Sequence, residues 1–397
     1  MPELLTLEDA LARILERAKP LPPETVAVAE AAGRILLEPA FSRVDLPPFA
    51  SSAMDGFALR AGETPGELPI AFRISAGSPG PGALPQGSAV AIATGGAVPE
   101  GADAVVPIER VTEHGDRVHV PEAARAGQHI RPRGGDVQEG EVVVGSGERL
   151  GPAQIGALAA TGIAAVRCSA RPRVAVLATG SELRSAGEPL ASGQIYESNR
   201  AMIAAVLAAA GADVELLPVV EDDENAHRAA LQRGLEADVL VTSGGVSMGP
   251  HDLVRRVAAE LGVEEVFWGV AVKPGKPLSF GIRGATLVFG LPGNPVSSLV
   301  GSLVFVRPAL LARQGLEHPG PAYEHGIAAA TLHRNARRDE FVRARRRFEE
   351  DGVRLVPVSG QESHMIVRAA SADVLVHVPR GEGEIAAGAP VRYLMLA

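Results

Sequence analysis

Three glycine-rich turns, each preceded by an apolar run, carry side chains suited to a phosphorylated ligand. The runs and their turns span residues 174–182, 239–247 and 287–295. The candidate residues are Thr179, Gly180, Ser181 and Glu182 in the first turn, Ser243, Gly244, Gly245 and Ser247 in the second, and Pro292, Asn294 and Pro295 in the third. Asn at a helix N-cap followed by Pro at the first helical position leaves backbone N–H groups free to point at an anion. The turns therefore predict an anion site.

The elements that position these turns follow from the same pattern. Short apolar runs bounded by turn residues predict buried parallel strands. Ligands of such sheets bind beyond the carboxyl ends of the strands, which is where the turns fall. One turn alone is explained most simply by glycine and proline closing a tight turn. Three turns at one sheet edge make a ligand site the better interpretation.

A lysine pair lies between the second and third turns, in Lys273-Pro274-Gly275-Lys276-Pro277. The flanking prolines hold the turn, so the two ammonium groups are predicted to form a compact positive pocket in a chain of net charge −9. The simpler alternative is that both lysines are solvated.

A site that handles a pyrophosphate also needs carboxylates to hold Mg²⁺. Asp222 and Asp252 each lie at the start of a predicted helix, where capping alone would explain them, although Asp222 also lies at the ligand edge of the sheet. Asp55 and Asp136 lie beside glycine in a β-rich region, and each is most simply a turn residue.

The composition limits the class of protein. A length of 397 residues predicts two to four domains. The single cysteine, Cys168, excludes a disulfide framework and a cysteine-based metal cluster, and suits a reducing compartment. The N-terminus predicts a helix capped by Thr6 rather than a signal peptide, and no apolar stretch approaches a membrane span without Gly, Pro or Arg. We therefore expect a cytoplasmic protein with no membrane or nucleic-acid partner.

Changes in periodicity predict a multidomain α/β and β protein. Residues 1–40 and 149–170 are predicted to form a discontinuous helical domain, and the Gly- and Pro-rich residues 41–148 a β domain. Strands alternate with helices over residues 171–315, which predicts a three-layer α/β domain. Residues 316–397 return to short strands, with a hairpin turn at Asp351-Gly352, and are predicted to form a small β-barrel or sandwich.

The motifs together resemble the MoeA-type molybdopterin molybdenumtransferases, a family that includes the E domain of gephyrin. The resemblance covers essentially the whole chain and rests on the segments 52–58, 94–106, 131–136, 179–183, 243–247, 273–277 and 291–297. The α/β portion alone would also match molybdopterin adenylyltransferases and CinA-like proteins, which lack the β domain. The motifs around Asp55 and Asp136 distinguish the family from those relatives.

The resemblance implies insertion of molybdenum from molybdate into adenylylated molybdopterin, with release of AMP and a requirement for Mg²⁺. It implies that Glu182, Asp222 and Asp252 line the nucleotide and metal side of the site, that Asp55 and Asp136 approach from the β domain, and that Lys273 and Lys276 hold phosphate or molybdate. It also implies that Arg343, Ser363 and Ser297 contribute to an oxyanion site, and it includes Thr94 and Arg131 among the substrate-binding residues.

The family also implies a homodimer with a cleft shared between protomers. A molybdopterin adenylyltransferase and proteins that accept the molybdenum cofactor are candidate partners on the same ground. Two alternatives remain open: an adenylyltransferase that consumes ATP, and a binding scaffold without catalysis.

Overall fold

The computed structural model describes residues 4–78, 80–245 and 253–396. Ser247 and Asp252, both predicted site residues, lie outside these ranges. The chain divides into two compact units. The first comprises Met1–Glu24, Gly33–Leu37 and Cys168–Ala397, and the second comprises Thr25–Ala32 and Glu38–Arg167.

Helices and strands of the described residues are numbered here in chain order. The helices are α1 Leu7–Arg17, α2 Pro152–Ala160, α3 Asn199–Ala209, α4 Glu224–Gly234, α5 Leu253–Glu260, α6 Pro295–Gly301, α7 Arg307–Arg313 and α8 Ile366–Ala369. The strands are β1 Pro23–Ala27, β2 Ala40–Phe41, β3 Ser51–Ser52, β4 Gly56–Leu59, β5 Gly66–Ile74, β6 Ala89–Ile92, β7 Ala104–Pro107, β8 Thr112–His114, β9 Arg117–Val120, β10 Ile130–Arg131, β11 Val142–Val144, β12 Ala165–Ser169, β13 Arg173–Ala178, β14 Leu183–Arg184, β15 Ile195–Tyr196, β16 Asp213–Leu216, β17 Val239–Ser243, β18 Glu264–Trp268, β19 Val272–Lys273, β20 Ser279–Arg283, β21 Thr286–Leu291, β22 Glu324–Ala328, β23 Leu332–His333, β24 Asp339–Glu349, β25 Gly352–Pro357, β26 Val374–Val378, β27 Glu384–Ile385 and β28 Pro390–Met395.

A six-stranded sheet forms the centre of the first unit, in the order β16-β13-β17-β21-β20-β18. The first four strands are parallel, and β20 and β18 are antiparallel additions. Val174 and Val176 of β13 are buried in one hydrophobic cluster, whereas Ala175 and Leu177 are buried in another. Both faces of the sheet are therefore covered, which is why its central strands are continuously apolar. The parallel strands predicted from the three apolar runs are confirmed.

Helix α3 follows the first glycine turn in the chain. Helix α3 begins after Ser198, buries Ile203 and Leu207 against the sheet, and is followed by Gly211 with φ +90°. The N-terminal cap is confirmed as well, since the amide of Asp9 donates to the Thr6 hydroxyl at 3.0 Å.

The sequence predicted that Gly, Pro or Arg interrupts every apolar stretch long enough to span a membrane, and one helix contradicts this. Helices α6 and α7 are joined by a π-helical segment, Ser302–Val306, into one continuous helix, Pro295–Arg313, of 19 residues. By length and composition this helix could cross a membrane, and Gly301 and Pro308 do not interrupt it. It lies 78% buried inside the protein, as the core helix of a globular domain does.

The C-terminal strands close into a barrel. The order is β24-β25-β22-β28-β26, and β26 pairs with β24 to complete the ring. The predicted turn at Asp351-Gly352 is confirmed, since Glu349 pairs with Gly352 where β24 turns into β25. Strand β19 adds to the outside of β24 in parallel, with Lys273 opposite Glu340.

A buried polar cluster lies beside the start of β24. Arg392 Nε donates to His377 Nδ1 at 2.8 Å. His377 Nε2 then donates to Asp339 Oδ1 at 2.9 Å. The guanidinium of Arg392 also lies 4.4 Å from the ring centre of Tyr323, whose pKa burial raises to about 12. These contacts fix the strand that holds Glu340 against β19.

The second unit is built on a six-stranded sheet in the order β7-β4-β6-β5-β9-β8. Phe57 and Leu59 of β4 lie in one hydrophobic cluster and Ala58 lies in another, so this sheet is also covered on both faces. A Cβ at Gly56 would lie 2.1 Å from the carbonyl oxygen of Val106, so β4 and β7 can approach only at glycine. The predicted fold class is confirmed, and the four domain boundaries stay predictions.

Replacing Asp339 by Asn tests the buried cluster. Burial raises the pKa of this carboxyl, but the hydrogen bonds from His377 and the Arg380 amide outweigh it, so the pKa lies below its ordinary value. A carboxyl with a depressed pKa stabilises the fold above its unfolded pKa and loses that contribution as the pH falls. Asp339→Asn should lower the free energy of unfolding by about 1.5–3 kcal/mol at pH 7.

Urea unfolding at pH 7 and at about pH 2.5, which lies below the ordinary carboxyl pKa of 3.8, followed by circular dichroism, measures the effect. The difference between native protein and variant should shrink at the lower pH. The exposed Asp351, replaced by Asn, is the matched control. An equal loss for both variants would show that the cluster contributes nothing specific.

Candidate functional site

The carboxyl ends of β13, β17 and β21 border a cavity of about 950 Å³ in the first unit. The parallel register places Ala178, Ser243 and Leu291 side by side, so the three glycine turns leave the sheet at one level. The predicted site residues that line this cavity are Thr179, Gly180, Glu182, Asp222, Ser243, Gly244, Gly245, Lys276, Pro292, Asn294 and Pro295.

Gly244 allows the second turn to approach the first, and Gly180 leaves room for the Glu182 side chain within the first turn. Gly244 has φ +91°, and a Cβ there would lie 2.7 Å from the carbonyl oxygen of Thr179. A Cβ at Gly180 would lie 2.6 Å from Glu182 Oε2. Backbone hydrogen bonds join the turns, from the amide of Thr179 to the Ser243 carbonyl at 3.1 Å and from the amide of Gly244 to the Leu291 carbonyl at 3.1 Å. The cavity floor is therefore a linked backbone surface.

Asn199, the first residue of α3, ties the second turn to the third. Its Nδ2 donates to the hydroxyl of Ser243 at 2.8 Å and to the carbonyl of Gly293 at 2.7 Å. The Ser243 hydroxyl lies 3.3 Å from the Pro292 carbonyl, and Ser298 Oγ donates to the same carbonyl. Ser243 is 2% exposed. Its hydroxyl is thus used inside this network, and the residue positions the turns.

Two carboxylates define the acidic side of the cavity. Ser181 Oγ donates to Asp222 Oδ2 at 3.1 Å and accepts from the Asp222 amide at 3.0 Å. The N-cap of α4 is the neighbouring Asp223, whose side chain accepts from Ala226 at 2.8 Å. Asp222 is therefore not needed for capping, and it faces the cavity together with Glu182.

The structure separates the two predicted lysines. Lys276 lines the cavity. Lys273 Nζ forms an ion pair with Glu340 at 2.8 Å, and among the described residues that line the cavity Lys273 is absent. On the part of the lining that the structure describes, the positive charge is therefore that of Lys276.

The third turn starts the long core helix, as its Asn-Pro pair predicted. Asn294 is the N-cap and Pro295 the first helical residue, and the Asn294 side chain makes no capping hydrogen bond. The amide of Val296 donates to the carbonyl of Ser363 at 3.0 Å. Ser297, in the first turn of the helix, is 4% exposed. The helix start is thus bound to the loop that carries Ser363.

Arg343, the predicted oxyanion ligand of the barrel, lies inside the protein at 1% exposure. Its guanidinium donates to backbone carbonyls of residues 360, 362 and 365 and to the side chain of Gln361. Burial lowers its pKa. Neither Arg343 nor Ser363 is among the described residues that line the cavity.

The predicted residues of the second unit form local turn contacts. The Asp55 carboxylate accepts from the Thr94 amide at 2.7 Å and from the Thr94 hydroxyl at 3.0 Å, and these bonds lower its pKa. Arg131 lies in β10, opposite Ser51, and is exposed. Asp136 is also exposed, and its amide donates to the Leu46 carbonyl at 2.9 Å.

Several lining residues were not found from the sequence. They are Leu183, Ile195, Tyr196, Glu197, Ser198, Asn199, Trp268, Gly293 and His364, among others. Tyr196 is 47% exposed, and Trp268 has the guanidinium of Arg255 5.6 Å from its ring centre. Trp268 ends an edge strand and His364 belongs to the barrel region, so neither lies in a glycine turn. The sequence signal for Tyr196 is an aromatic residue two positions before Ser198, the N-cap of α3.

Comparisons of this chain with family models, related sequences and solved structures agree with one another. Family models match residues 5–162 as the MoeA N-terminal region (domain I and II), residues 175–312 as a probable molybdopterin binding domain, and residues 325–396 as the MoeA C-terminal region (domain IV). A molybdopterin molybdenumtransferase of Haemophilus influenzae is 36% identical over 98% of both chains. Molybdopterin molybdenumtransferase 2 of Mycobacterium tuberculosis is 37% identical over 94% of this chain and 95% of its own. A crystal structure of a molybdopterin biosynthesis MoeA protein from Pyrococcus horikoshii superposes with a TM-score of 0.85 and 27% identity, over 99% of this chain and all of the other.

Asn199→Ala tests whether the polar network shapes the cavity. The change removes the two hydrogen bonds that join the second and third turns, so it should lower the free energy of unfolding by about 1–3 kcal/mol. Amides of residues 243–245 and 292–296 should exchange faster with solvent deuterium, measured by mass spectrometry. Asn225→Ala, at an exposed position of α4 outside the cavity lining, is the control. Unchanged exchange at both turns would mean that the backbone bonds alone hold them.

Proposed function

Because this chain belongs to the MoeA family, as its full-length relatives show, we propose that it inserts molybdenum from molybdate into adenylylated molybdopterin, with release of AMP. The family makes it an enzyme of molybdenum cofactor synthesis, a molybdopterin molybdenumtransferase. The observation that carries the detailed reaction is the cavity, which places a glycine-turn floor, Lys276 and the carboxylates of Glu182 and Asp222 around one space.

The size and lining of the cavity suit this substrate. Small-molecule sites occupy about 300–1,000 Å³, and this cavity measures about 950 Å³. Backbone at Gly180 and Gly244 can approach phosphate oxygens where a side chain would intervene. Lys276 supplies a positive charge on the same surface. We place the pyrophosphate of the substrate against this floor.

The acidic pair fits a magnesium ion. Mg²⁺ keeps several waters and is usually bound through one or two carboxylates together with substrate phosphates. Glu182 and Asp222 both face the cavity, and the Ser181 hydroxyl fixes one Asp222 oxygen. Within the described residues no group of three or more His, Cys, Asp or Glu could form a metal cage. Glu182 and Asp222 would hold the ion, which would neutralise charge on the pyrophosphate as AMP departs.

The chain's own groups would orient the reacting phosphates. Lys276 would bind a nonbridging phosphate oxygen, and the linked turns would hold the pyrophosphate in one position. Asn199 would act through these turns, since it fixes Ser243 and Gly293. Catalysis of phosphate-bond cleavage by such a site is mainly positioning and charge stabilisation.

We extend the proposal to a homodimer whose active cleft takes residues from both protomers. Asp55 and Asp136 are exposed residues of the second unit and take no part in its hydrophobic core. The Thr94 bonds hold Asp55 as an ionised carboxylate with one oxygen already oriented. These residues would complete the Glu182 site of the partner chain.

Release of AMP from adenylylated molybdopterin under anaerobic conditions tests the reaction. The native protein should release AMP only when molybdate and Mg²⁺ are both present, and chelation of Mg²⁺ should abolish the release. Glu182→Gln should lower the rate on the order of 10- to 100-fold, because one metal ligand is lost. Glu188→Gln, in the same segment but outside the cavity lining, is the matched control. Consumption of ATP with formation of pyrophosphate would identify an adenylyltransferase, and tight binding without turnover would identify a scaffold.

A second experiment tests the shared cleft. Asp55→Ala and Glu182→Ala should each be inactive alone. Mixing the two should restore activity toward one quarter of the native value, since random exchange makes half of the dimers mixed and each mixed dimer keeps one intact site. Subunit exchange is verified with two distinguishable tags. Verified exchange without recovery would place both residues in the site of one chain.

A further inference from the structure

Five consecutive residues leading into helix α3 line the cavity, and they are called the entry wall here: Ile195, Tyr196, Glu197, Ser198 and Asn199. Backbone bonds join this wall to the first glycine turn and the strand that follows it. The amide of Ile195 donates to the Glu182 carbonyl at 2.9 Å, and the amide of Glu197 donates to the Arg184 carbonyl at 2.8 Å. The wall is therefore positioned by the same turn that carries Glu182.

The entry wall presents no free carboxylate to the cavity. Its acidic residue, Glu197, pairs with Arg200, whose Nε lies 3.0 Å from Glu197 Oε2 and whose amide donates to Oε1 at 2.8 Å. The Glu197 side chain is 5% exposed. The charged groups of the described lining that could meet a phosphate or a metal ion belong to other segments, namely Glu182, Asp222 and Lys276. The wall therefore suits an uncharged part of a ligand.

Tyr196 is the aromatic residue of the entry wall. Its hydroxyl donates to the carbonyl of Glu188 at 2.8 Å, and its backbone is held by the pairing of β15 with β14. The residue is still 47% exposed although it lines the cavity. Because the hydroxyl proton is already used, the ring is the surface that remains for a ligand. Flat heteroaromatic rings stack favourably on such a surface.

Asn199, at the end of the entry wall, has an acceptor without a partner. Its Nδ2 donates to the Ser243 hydroxyl at 2.8 Å and to the Gly293 carbonyl at 2.7 Å. A carbonyl only accepts, so these bonds fix the orientation of the amide. Oδ1 is buried, and no donor among the described residues reaches it. Buried polar atoms are nearly always hydrogen-bonded, so Oδ1 needs a donor that the described protein does not supply.

We propose that the entry wall binds the flat, amine-bearing ring of the substrate, with Tyr196 stacked on the ring and Asn199 Oδ1 accepting from the amine. The inference rests on the proposed function and gives its cavity a ring-binding wall beside the phosphate-binding floor. Adenylylated molybdopterin contains two such rings, the adenine and the aminopyrimidine ring of the pterin. Both are planar heterocycles with an exocyclic amine, and the binding experiment separates them.

Calorimetric titration of the whole protein with AMP, and separately with 6-hydroxymethylpterin, both with Mg²⁺, tests the stacking. Tyr196→Leu should raise Kd for one of the two probes about tenfold, because a stacked ring is lost. Tyr196→Phe should keep most of the affinity, since it keeps the ring. Ribose 5-phosphate has no heteroaromatic ring and should bind native protein and Tyr196→Leu equally. Leu190→Ala, exposed in the same segment but outside the described lining, is the control.

Analogues without the exocyclic amine test Asn199. They are purine riboside 5′-monophosphate for AMP and 6-hydroxymethyllumazine for the pterin. Native protein should bind the analogue of the affected probe about tenfold more weakly than the probe itself, because Oδ1 is then left unpaired. Asn199→Ala should bind the two alike, and Asn225→Ala should keep the native preference. Trp268, the single tryptophan of the chain, lines the same cavity, so its fluorescence should change as AMP binds native protein.

Four results would overturn the inference. The first is no binding of either probe to native protein, and the second is an unchanged Kd for both probes in Tyr196→Leu. The third is a loss in Tyr196→Phe as large as in Tyr196→Leu, or an equal loss for ribose 5-phosphate, either of which would make Tyr196 a support of the framework. The fourth is equal affinity of native protein for probe and amine-free analogue. None of them affects the proposed reaction, which stands or falls on molybdate-dependent AMP release by the native protein.

Discussion

The in-register pairing of β13, β17 and β21 is the constraint on which the site depends. Ala178, Ser243 and Leu291 occupy neighbouring positions across three strands, so every following turn begins at the same height above the sheet. Because side chains alternate between faces, a slip of one residue would exchange the two buried sets of each strand. Val176 and Leu177 belong to different hydrophobic clusters, and this two-sided packing holds the register that brings the turns together.

Polar side chains that look like ligands in the sequence are largely used to hold the framework. Ser243 is bound by Asn199 and lies inside the sheet edge, Thr94 binds Asp55, and Arg343 binds its own loop. For Ser243 and Arg343, which are buried, the physical reason is that a buried polar group without a partner costs about 1–3 kcal/mol. Thr94 and Asp55 are exposed and bind each other as neighbours in a turn. A side chain placed next to a tight turn is therefore drawn first to the turn's own backbone.

Elements with local signals were predictable from sequence. Helix α1 begins after Thr6, the cap that the sequence predicted, and the strand ends follow from apolar runs bounded by glycine. The site was predictable where chemistry and turn coincide, as at Glu182 and Lys276. Asn199 and His364 were missed, since each reaches the cavity through contacts far away along the chain. The pairing of Lys273 with Glu340 was invisible for the same reason, because it depends on β19 joining the barrel strand.

The charges that line the cavity are a reason to expect a divalent cation there, and this reason does not depend on similarity to known proteins. Glu197 is paired with Arg200 at 3.0 Å, so the other charged groups on the described lining are Glu182, Asp222 and Lys276. Two carboxylates facing a pyrophosphate repel it, and each pair of unit charges at 4 Å costs about 4 kcal/mol at an effective dielectric constant near 20. One lysine cannot reverse that balance. Under the function we propose, a divalent cation between carboxylates and phosphates would reverse it, and the acidic pair would favour binding only when the metal and the anionic substrate arrive together.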